Sequence, residues 1–198
     1  MKYIKKYESN FNFNIEIFTI SEASDFHQKF LEKNKKYRKI NLKTKIHYFD
    51  YNDFSTMFAS DSYKKSCRFI IAYNEKDILG ICKFAYWDMS SNYAISYLST
   101  NEDFFSKGIS KKLLETTFKY FSETYPNETL SFSGYSIEGW KYLRKSILEF
   151  SKKYSVKITE KGIEYPGRSG KFSEEDWQLM SKSREEIKNT YGSDNSYY

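Results

Sequence analysis

The chain switches between two hydrophobic periods, and the switches mark its elements. From Asn12 to Phe18 polar and apolar residues alternate, the period of a half-buried strand, so residues 12 to 20 read as a first strand. Ser24 or Asp25 then caps a predicted helix running to about Tyr37, with Phe26, Phe30 and Leu31 on one side and Lys29, Lys33 and Lys36 away from it. A basic loop, Lys33 to Lys45, follows, and then a shorter helix from about Tyr51 to Tyr63 with Phe54, Met57 and Phe58 on one face. Arg68 to Tyr73 and Ile78 to Trp87 are β-rich runs joined by Asn74-Glu75-Lys76-Asp77, a turn-forming set that predicts an antiparallel hairpin. Beyond the polar turn Asp88 to Asn92, Tyr93 to Thr100 is β-branched and aromatic again and reads as a fourth strand.

After Thr100 the helical period takes over. A polar loop, Asn101 to Lys107, leads into a helix from Ile109 to about Tyr125. Its Ile109, Leu113, Leu114, Phe118 and Phe121 share a face, opposite Lys111, Glu115 and Lys119 at pairing distance. Leu130 to Tyr135 reads as a fifth strand. A helix from about Ile137 to Tyr154 follows, whose stripe of Trp140, Leu143, Ile147, Phe150 and Tyr154 reads as core packing. Val156 to Glu160 and Gly162 to Tyr165 are two short closing strands. Ser173 caps a last helix with Glu174, Glu175 and Asp176 in its first turn, where the helix dipole favours acids, and residues 192 to 198 are expected to be disordered. The whole predicts an α/β fold, a mixed sheet covered by helices. One domain spans residues 1–167, and 168–198 add a C-terminal helix and tail.

Composition changes this picture in a few places. The longest apolar runs, such as Phe69 to Tyr73, are too short to cross a membrane, and Met1 to Lys6 lacks the apolar stretch of a signal peptide, so a soluble, cytoplasmic protein without membrane partners is expected. Cys67 and Cys82 lie in apolar strand-like runs and are expected to be buried free thiols. With only His27 and His47 in the chain, a histidine triad or a metal centre is improbable. A net charge of +6 with 20% aromatic residues suits nucleic-acid binding, but only five of the 32 basic residues are arginine, the side chain that bidentate phosphate and base contacts favour. A low-GC codon bias toward Lys, Tyr, Phe, Asn and Ile accounts for the same profile, so nucleic acid is a partner class left open and not favoured.

Chemistry points to one stretch, Phe104-Phe105-Ser106-Lys107-Gly108-Ile109-Ser110-Lys111-Lys112-Leu113-Leu114. Gly108 falls between the end of a strand and the first turn of an amphipathic helix. A helix start presents unpaired N–H groups and the positive end of its dipole, which together accommodate a pyrophosphate without a metal. Small residues at Ser106, Gly108 and Ser110 allow close approach of phosphate oxygens, and Lys107, Lys111 and Lys112 add positive charge. The competing reading of one glycine before a helix is a tight turn.

In this element order the stretch resembles the pyrophosphate motif of the GNAT superfamily of N-acetyltransferases, Arg/Gln-x-x-Gly-x-Gly/Ala after a fourth strand. Phe105 takes the Arg/Gln place, Gly108 matches the middle glycine, and Ser110 stands at the final small position. The resemblance in element order covers roughly residues 12 to 166. It implies a mixed, mostly antiparallel sheet whose central fourth and fifth strands splay apart, flanked by helices. It also implies acetyl-CoA as acetyl donor, its pantetheine arm beside the main chain of Leu98, Ser99 and Thr100 and its pyrophosphate over Phe105, Ser106, Lys107, Gly108, Ile109 and Ser110. Acetyl transfer then runs by direct attack of a primary amine, of a small molecule or a protein. An acid must protonate the departing thiolate; Tyr142 is the best placed by the resemblance, with packing as its equal alternative, and Tyr135 is second. No carboxylate lies within the fourth strand to act as base. The other reading is a GNAT-fold module without catalysis, binding nucleic acid or an acidic protein through the basic run Lys33 to Lys45. A homodimer is compatible with either.

Overall fold

A computed structural model describes residues 12–33, 61–132, 134–166 and 170–192. Residues 34–60, which hold nearly all of the basic run and most of the predicted second helix, lie outside the described residues, as do 193–198 of the predicted tail. The first strand is β1 (Asn14–Phe18) and the first helix α1 (Ile20–Lys33). Neither Ser24 nor Asp25 caps α1. Thr19 does: Glu22 Oε2 accepts from the Thr19 N–H at 2.8 Å while the Glu22 N–H faces Thr19 Oγ1 at 3.4 Å, a reciprocal capping box that starts the helix one turn earlier. After the short α2 (Asp61–Ser66), the hairpin strands β2 (Arg68–Tyr73) and β3 (Ile78–Trp87) have the predicted bounds, and Asn74 Oδ1 closes their turn by accepting from Lys76 N and Asp77 N. Then come β4 (Asn92–Thr100), a single 3₁₀ turn at Glu102–Phe104, and α3 (Ile109–Thr124).

The predicted fifth strand is two pieces, β5 (Thr129–Phe132) and β6 (Tyr135–Ser136). The helix after it is also two, α4 (Ile137–Tyr142) and α5 (Arg144–Tyr154), which meet at Leu143 with φ −109°. β7 (Lys157–Glu160), β8 (Ile163–Tyr165) and α6 (Glu174–Tyr191) complete the order, and α6 begins with the predicted Ser173 cap in a capping box with Asp176.

Six strands form one sheet in the order β1-β2-β3-β4-β5-β7. β1 to β4 pair antiparallel, while β4 to β5 and β5 to β7 are parallel, the latter joined through α4 and α5. β6 and β8 form a separate parallel pair. Alternate residues of β2 face opposite layers: Ile70 and Ala72 join Leu113, Leu114, Phe118 and Phe121 of α3 with Ile147 and Phe150 of α5, whereas Phe69 and Ile71 pack with Ala23 and Phe30 of α1. Cys82 sits in the first layer and Cys67 in the second, both as buried thiols; burial pushes them up to about 12 and about 11 respectively. On α3, Glu115 pairs with Lys112 at 3.0 Å and with Lys153 of α5 at 2.7 Å rather than with the expected Lys111 and Lys119, because α5 packs alongside that flank. The Lys153 ammonium, then Lys112, hold the Glu115 carboxyl down at about 2. Among the described residues no helix is long and apolar enough to cross a membrane.

Candidate functional site

The implied splay is present, and a single extra residue marks its origin. β4 pairs with β3 in a regular register from Asn92 to Ile95, opposite Trp87 to Phe84, and resumes with Tyr97 opposite Lys83, so that Ser96 is bulged out. A bulge bends the strand that carries it and raises its twist. It also shifts the phase: Tyr93 and Ile95 pack on the α3 side, Tyr97 on the α1 side, and Leu98 on the α3 side again. Pairing with β5 covers Tyr93 to Ile95 opposite Leu130 to Phe132 and stops there. From Ser96 to Thr100, β4 has no sheet partner on its β5 side among the described residues, which leaves main-chain groups of Leu98, Ser99 and Thr100 facing a gap. Sheet edges of this kind pair with extended ligands irrespective of side chains.

The end of that open edge is tied to the start of α3. Asn101, 3% exposed, donates from its main-chain N–H to Leu79 O at 2.8 Å and from Nδ2 to Ile78 O at 3.2 Å, while its Oδ1 accepts from Asp103 N at 3.1 Å. The loop is thereby anchored to β3. Thr100 and Ser110 join their hydroxyls in a short hydrogen bond across the base of the loop. Between these anchors Ser106 has φ 64° and Gly108 has φ 75°, both left-handed, a conformation that costs a residue with a side chain and is open to glycine. Gly80 of β3 brings α3 close: a Cβ there would stand 2.8 Å from Ser99 O, 3.0 Å from Leu113 Cδ1 and 3.1 Å from Ile109 Cγ2.

No side chain caps α3 at Gly108. The first N–H groups of any α-helix lack intrahelical acceptors, so those of Gly108, Ile109 and Ser110 are directed beyond the helix end next to the open edge of β4. Lys111 and Lys112 are exposed on the first turn, Lys112 paired with Glu115 at 3.0 Å, and Lys107 is half-buried in the loop; Glu102 and Asp103 are exposed on the 3₁₀ turn before it. Phe105, half-buried, ends that turn with its N–H on Glu102 O at 3.3 Å, so the loop closes without the polar side chain that the motif has there. An uncapped helix start and an unpaired strand edge, in continuity, fit a ligand with an anionic head and an amide-bearing arm.

The two tyrosines singled out from the sequence occupy unlike places. Tyr142, the last residue of α4, is 74% exposed. Tyr135 is 5% exposed, its ring stacked on Phe132 with centroids 6.0 Å apart, and its hydroxyl donates in a short hydrogen bond to Glu160 Oε1. Burial, reinforced by that carboxylate, raises the Tyr135 phenol far above its ordinary value. Glu160 belongs to a polar cluster that sequence reasoning missed, completed by Arg144, Tyr191 and Glu186. One signal existed. Glu160 continues the inward phase of Val156 and Ile158, a charge at a core position. Two other cavities, of about 520 Å³ beside Ile158, Lys157 and Tyr191 and about 330 Å³ beside Phe26, Lys29 and Tyr73, lie away from the α3 start.

No protein-family model matches the chain, and no curated protein does. Its fold is similar to solved aminoglycoside acetyltransferases. One, from an uncultured soil metagenomic sample, is 12% identical with a TM-score of 0.40, the match covering 65% of this chain and 84% of that one. Another, aminoglycoside N-acetyltransferase AAC(6')-Iy, has been solved with a bisubstrate analogue, CoA-S-monomethyl-acetylneamine. It is 13% identical with a TM-score of 0.41, over 80% of this chain and 99% of that one. The same enzyme with CoA gives 12%, 0.40, 79% and 95%. At these values the likeness is one of element order and transfers no side-chain role. The strand order, the splay of β4 from β5 and the glycine-led α3 at its mouth are those that the resemblance in sequence implies.

Proposed function

We propose that the protein is an acetyl-CoA-dependent N-acetyltransferase that moves an acetyl group to a primary amine by direct attack. The observation that carries this reading is the continuity between the open edge of β4 at Leu98–Thr100 and the uncapped start of α3 at Gly108. A pyrophosphate is held by main-chain N–H groups of Gly108, Ile109 and Ser110, assisted by the field of α3 and by Lys107, Lys111 and Lys112. The loop from Phe105 to Ser106 forms the near wall. An amide-bearing arm is held by the main chain of Leu98, Ser99 and Thr100 in the manner of an added strand. Bound there, acetyl-CoA supplies an activated thioester and a stable thiolate as leaving group.

The chain's own work is then orientation and proton transfer. The gap between β4 and β5 fixes the direction from which an amine approaches. Tyr142 is the acid in this reading, since its hydroxyl is exposed whereas the proton of Tyr135 is engaged by Glu160. Its turnover rises with pH while the acceptor ammonium deprotonates. Cys67 and Cys82, buried and with raised thiols, are unsuited to forming a covalent acetyl-enzyme, in keeping with direct transfer.

Thermal unfolding with and without acetyl-CoA tests the reading. Saturating acetyl-CoA, at about 100 times Kd, is expected to stabilise the protein by about 2.7 kcal/mol, and Gly108→Glu, which sets a carboxylate at the phosphate position, to remove that gain. Absence of any shift in the unsubstituted protein would overturn it. Steeply salt-dependent binding to RNA or DNA, indifferent to CoA, would replace it with the binding-module reading.

A further inference from the structure

Side chains from three elements converge on one carboxylate at the end of β7. Glu160, 3% exposed, accepts from the Tyr135 hydroxyl, from Arg144 Nε at 3.3 Å and Nη2 at 3.2 Å, and from the Tyr191 hydroxyl at 2.9 Å. Arg144 Nη1 extends the cluster to Glu186, and its guanidinium lies 4.3 Å over the Trp140 ring. The groups come from β6, α5, β7 and α6. Burial works against the Arg144 charge, but Glu160 and then Glu186 raise its pKa above the ordinary value, so the guanidinium keeps its charge. Compared with apolar side chains of the same volume, a buried ion pair adds little stability; what it can add is a unique arrangement.

The element so arranged is α4. Six residues are too few for a helix to hold its own position. At its start, Tyr135 immediately precedes the Ser136 cap, whose Oγ accepts from Gly139 N at 3.0 Å. At its end, Arg144 follows Tyr142 by two residues and stacks on Trp140. Both ends are therefore fastened to Glu160, and Glu160 to α6 through Tyr191. We infer that Glu160, Arg144 and Tyr191 are positioning residues for acetyl transfer, which fix α4 and with it Tyr142 on the acceptor side. The C-terminal helix α6 is in consequence part of the working site. This inference rests on the function proposed above.

Glu160→Gln and Tyr191→Phe, which keep shape and remove charge or one hydroxyl, provide the test in the full-length chain. Thiol release from acetyl-CoA is followed with neamine, spermidine and a peptide with a free N-terminus as acceptors, alongside the acetyl-CoA thermal shift and deuterium exchange. Expected are a kcat at least tenfold lower, a KM for acetyl-CoA within twofold of the parent, an unchanged thermal shift, and faster exchange confined to residues 135–143. Tyr191→Phe serves alone if Glu160→Gln does not fold. Unchanged kcat, or kcat and KM altered together with exchange raised across the chain, overturns the positioning role and leaves the acetyltransferase reading standing. A parent protein that binds acetyl-CoA but releases no thiol with any of the three amines also overturns it. A parent that shows no thermal shift removes the acetyltransferase reading itself, and the positioning role with it.

Discussion

The two walls of the β4–β5 gap are built on different principles. The β4–α3 wall consists of main-chain groups: a strand edge, a left-handed glycine and an uncapped helix start, tied locally by Asn101 and by Thr100 with Ser110. The opposite wall is held by side chains far apart in sequence, Tyr135, Arg144, Glu160, Glu186 and Tyr191. Main-chain recognition tolerates many side chains, so the first wall is sensitive to backbone conformation and to volume. The second fails when one partner is lost, because the remaining charge is stranded in a buried site.

The sharpest way to break this contrast is Glu160→Ala. It leaves the buried Arg144 guanidinium with Glu186 alone and is expected to cost about 3 to 5 kcal/mol, which for a chain of this size lowers Tm by roughly 10 °C in calorimetry. A loss below about 1 kcal/mol would show that the second wall is as tolerant as the first.

A control belonging to neither wall is His27 on α1, 5% exposed, whose imidazole burial holds down at about 4. Its native pKa lies below the unfolded value of 6.5. As pH falls from about 6.5 to about 4, the unfolded chain takes up a proton that the native chain does not, and stability is lost by about 2 to 3 kcal/mol in that window. Denaturant unfolding across that range measures the slope, and His27→Asn should flatten it; an equal slope in the variant would place the effect elsewhere.

Smaller effects probe the first wall. Gly80→Ala puts a methyl 2.8 Å from Ser99 O and must push α3 and β4 apart. A loss of about 1 to 3 kcal/mol is expected by denaturant titration, together with weaker acetyl-CoA binding by calorimetry. Weaker stability with unchanged binding would separate Gly80 from the site. Phe105→Gln supplies the polar side chain that the motif has at that place. One added hydrogen bond is worth about 0.5 to 1.5 kcal/mol, a twofold to tenfold gain in acetyl-CoA affinity. A loss of affinity instead would assign Phe105 a packing role in the loop.

How far the sequence foretold this molecule follows the same contrast. Elements whose signal is local were legible: the β2–β3 hairpin with its Asn74 turn, the apolar face of α3, and the Ser173 capping box of α6 all stand where pattern placed them. The start of α1 lies before Ser24 and Asp25, at a local signal the sequence does carry, Thr19 with Glu22 three residues on; both sites offer capping side chains, and the reciprocal bonds of Thr19 with Glu22 set the start. The bulge at Ser96 had no such mark; neither glycine nor proline is there, and its evidence is a pairing register that only the sheet supplies. The Glu160 cluster was hidden for a related reason. Arg144 and Glu160 are 16 residues apart, and Glu160 and Tyr191 31 apart, separations at which sequence carries no pairing signal. The gap itself was anticipated from family resemblance and not from composition or period.

The bulge at Ser96 also means that the slot is encoded as a count and not as a chemical group. Without that one residue, Tyr97 would follow Ile95 in unbroken register against β3, and the bend that the bulge gives β4 would be lost. Any hydrophobic, polar or charged residue at position 96 preserves the opening as long as the number of residues between Ile95 and Tyr97 stays at one. A lineage of such proteins can therefore exchange the side chain at this point of β4 and keep the bend, yet lose it to a deletion of three nucleotides.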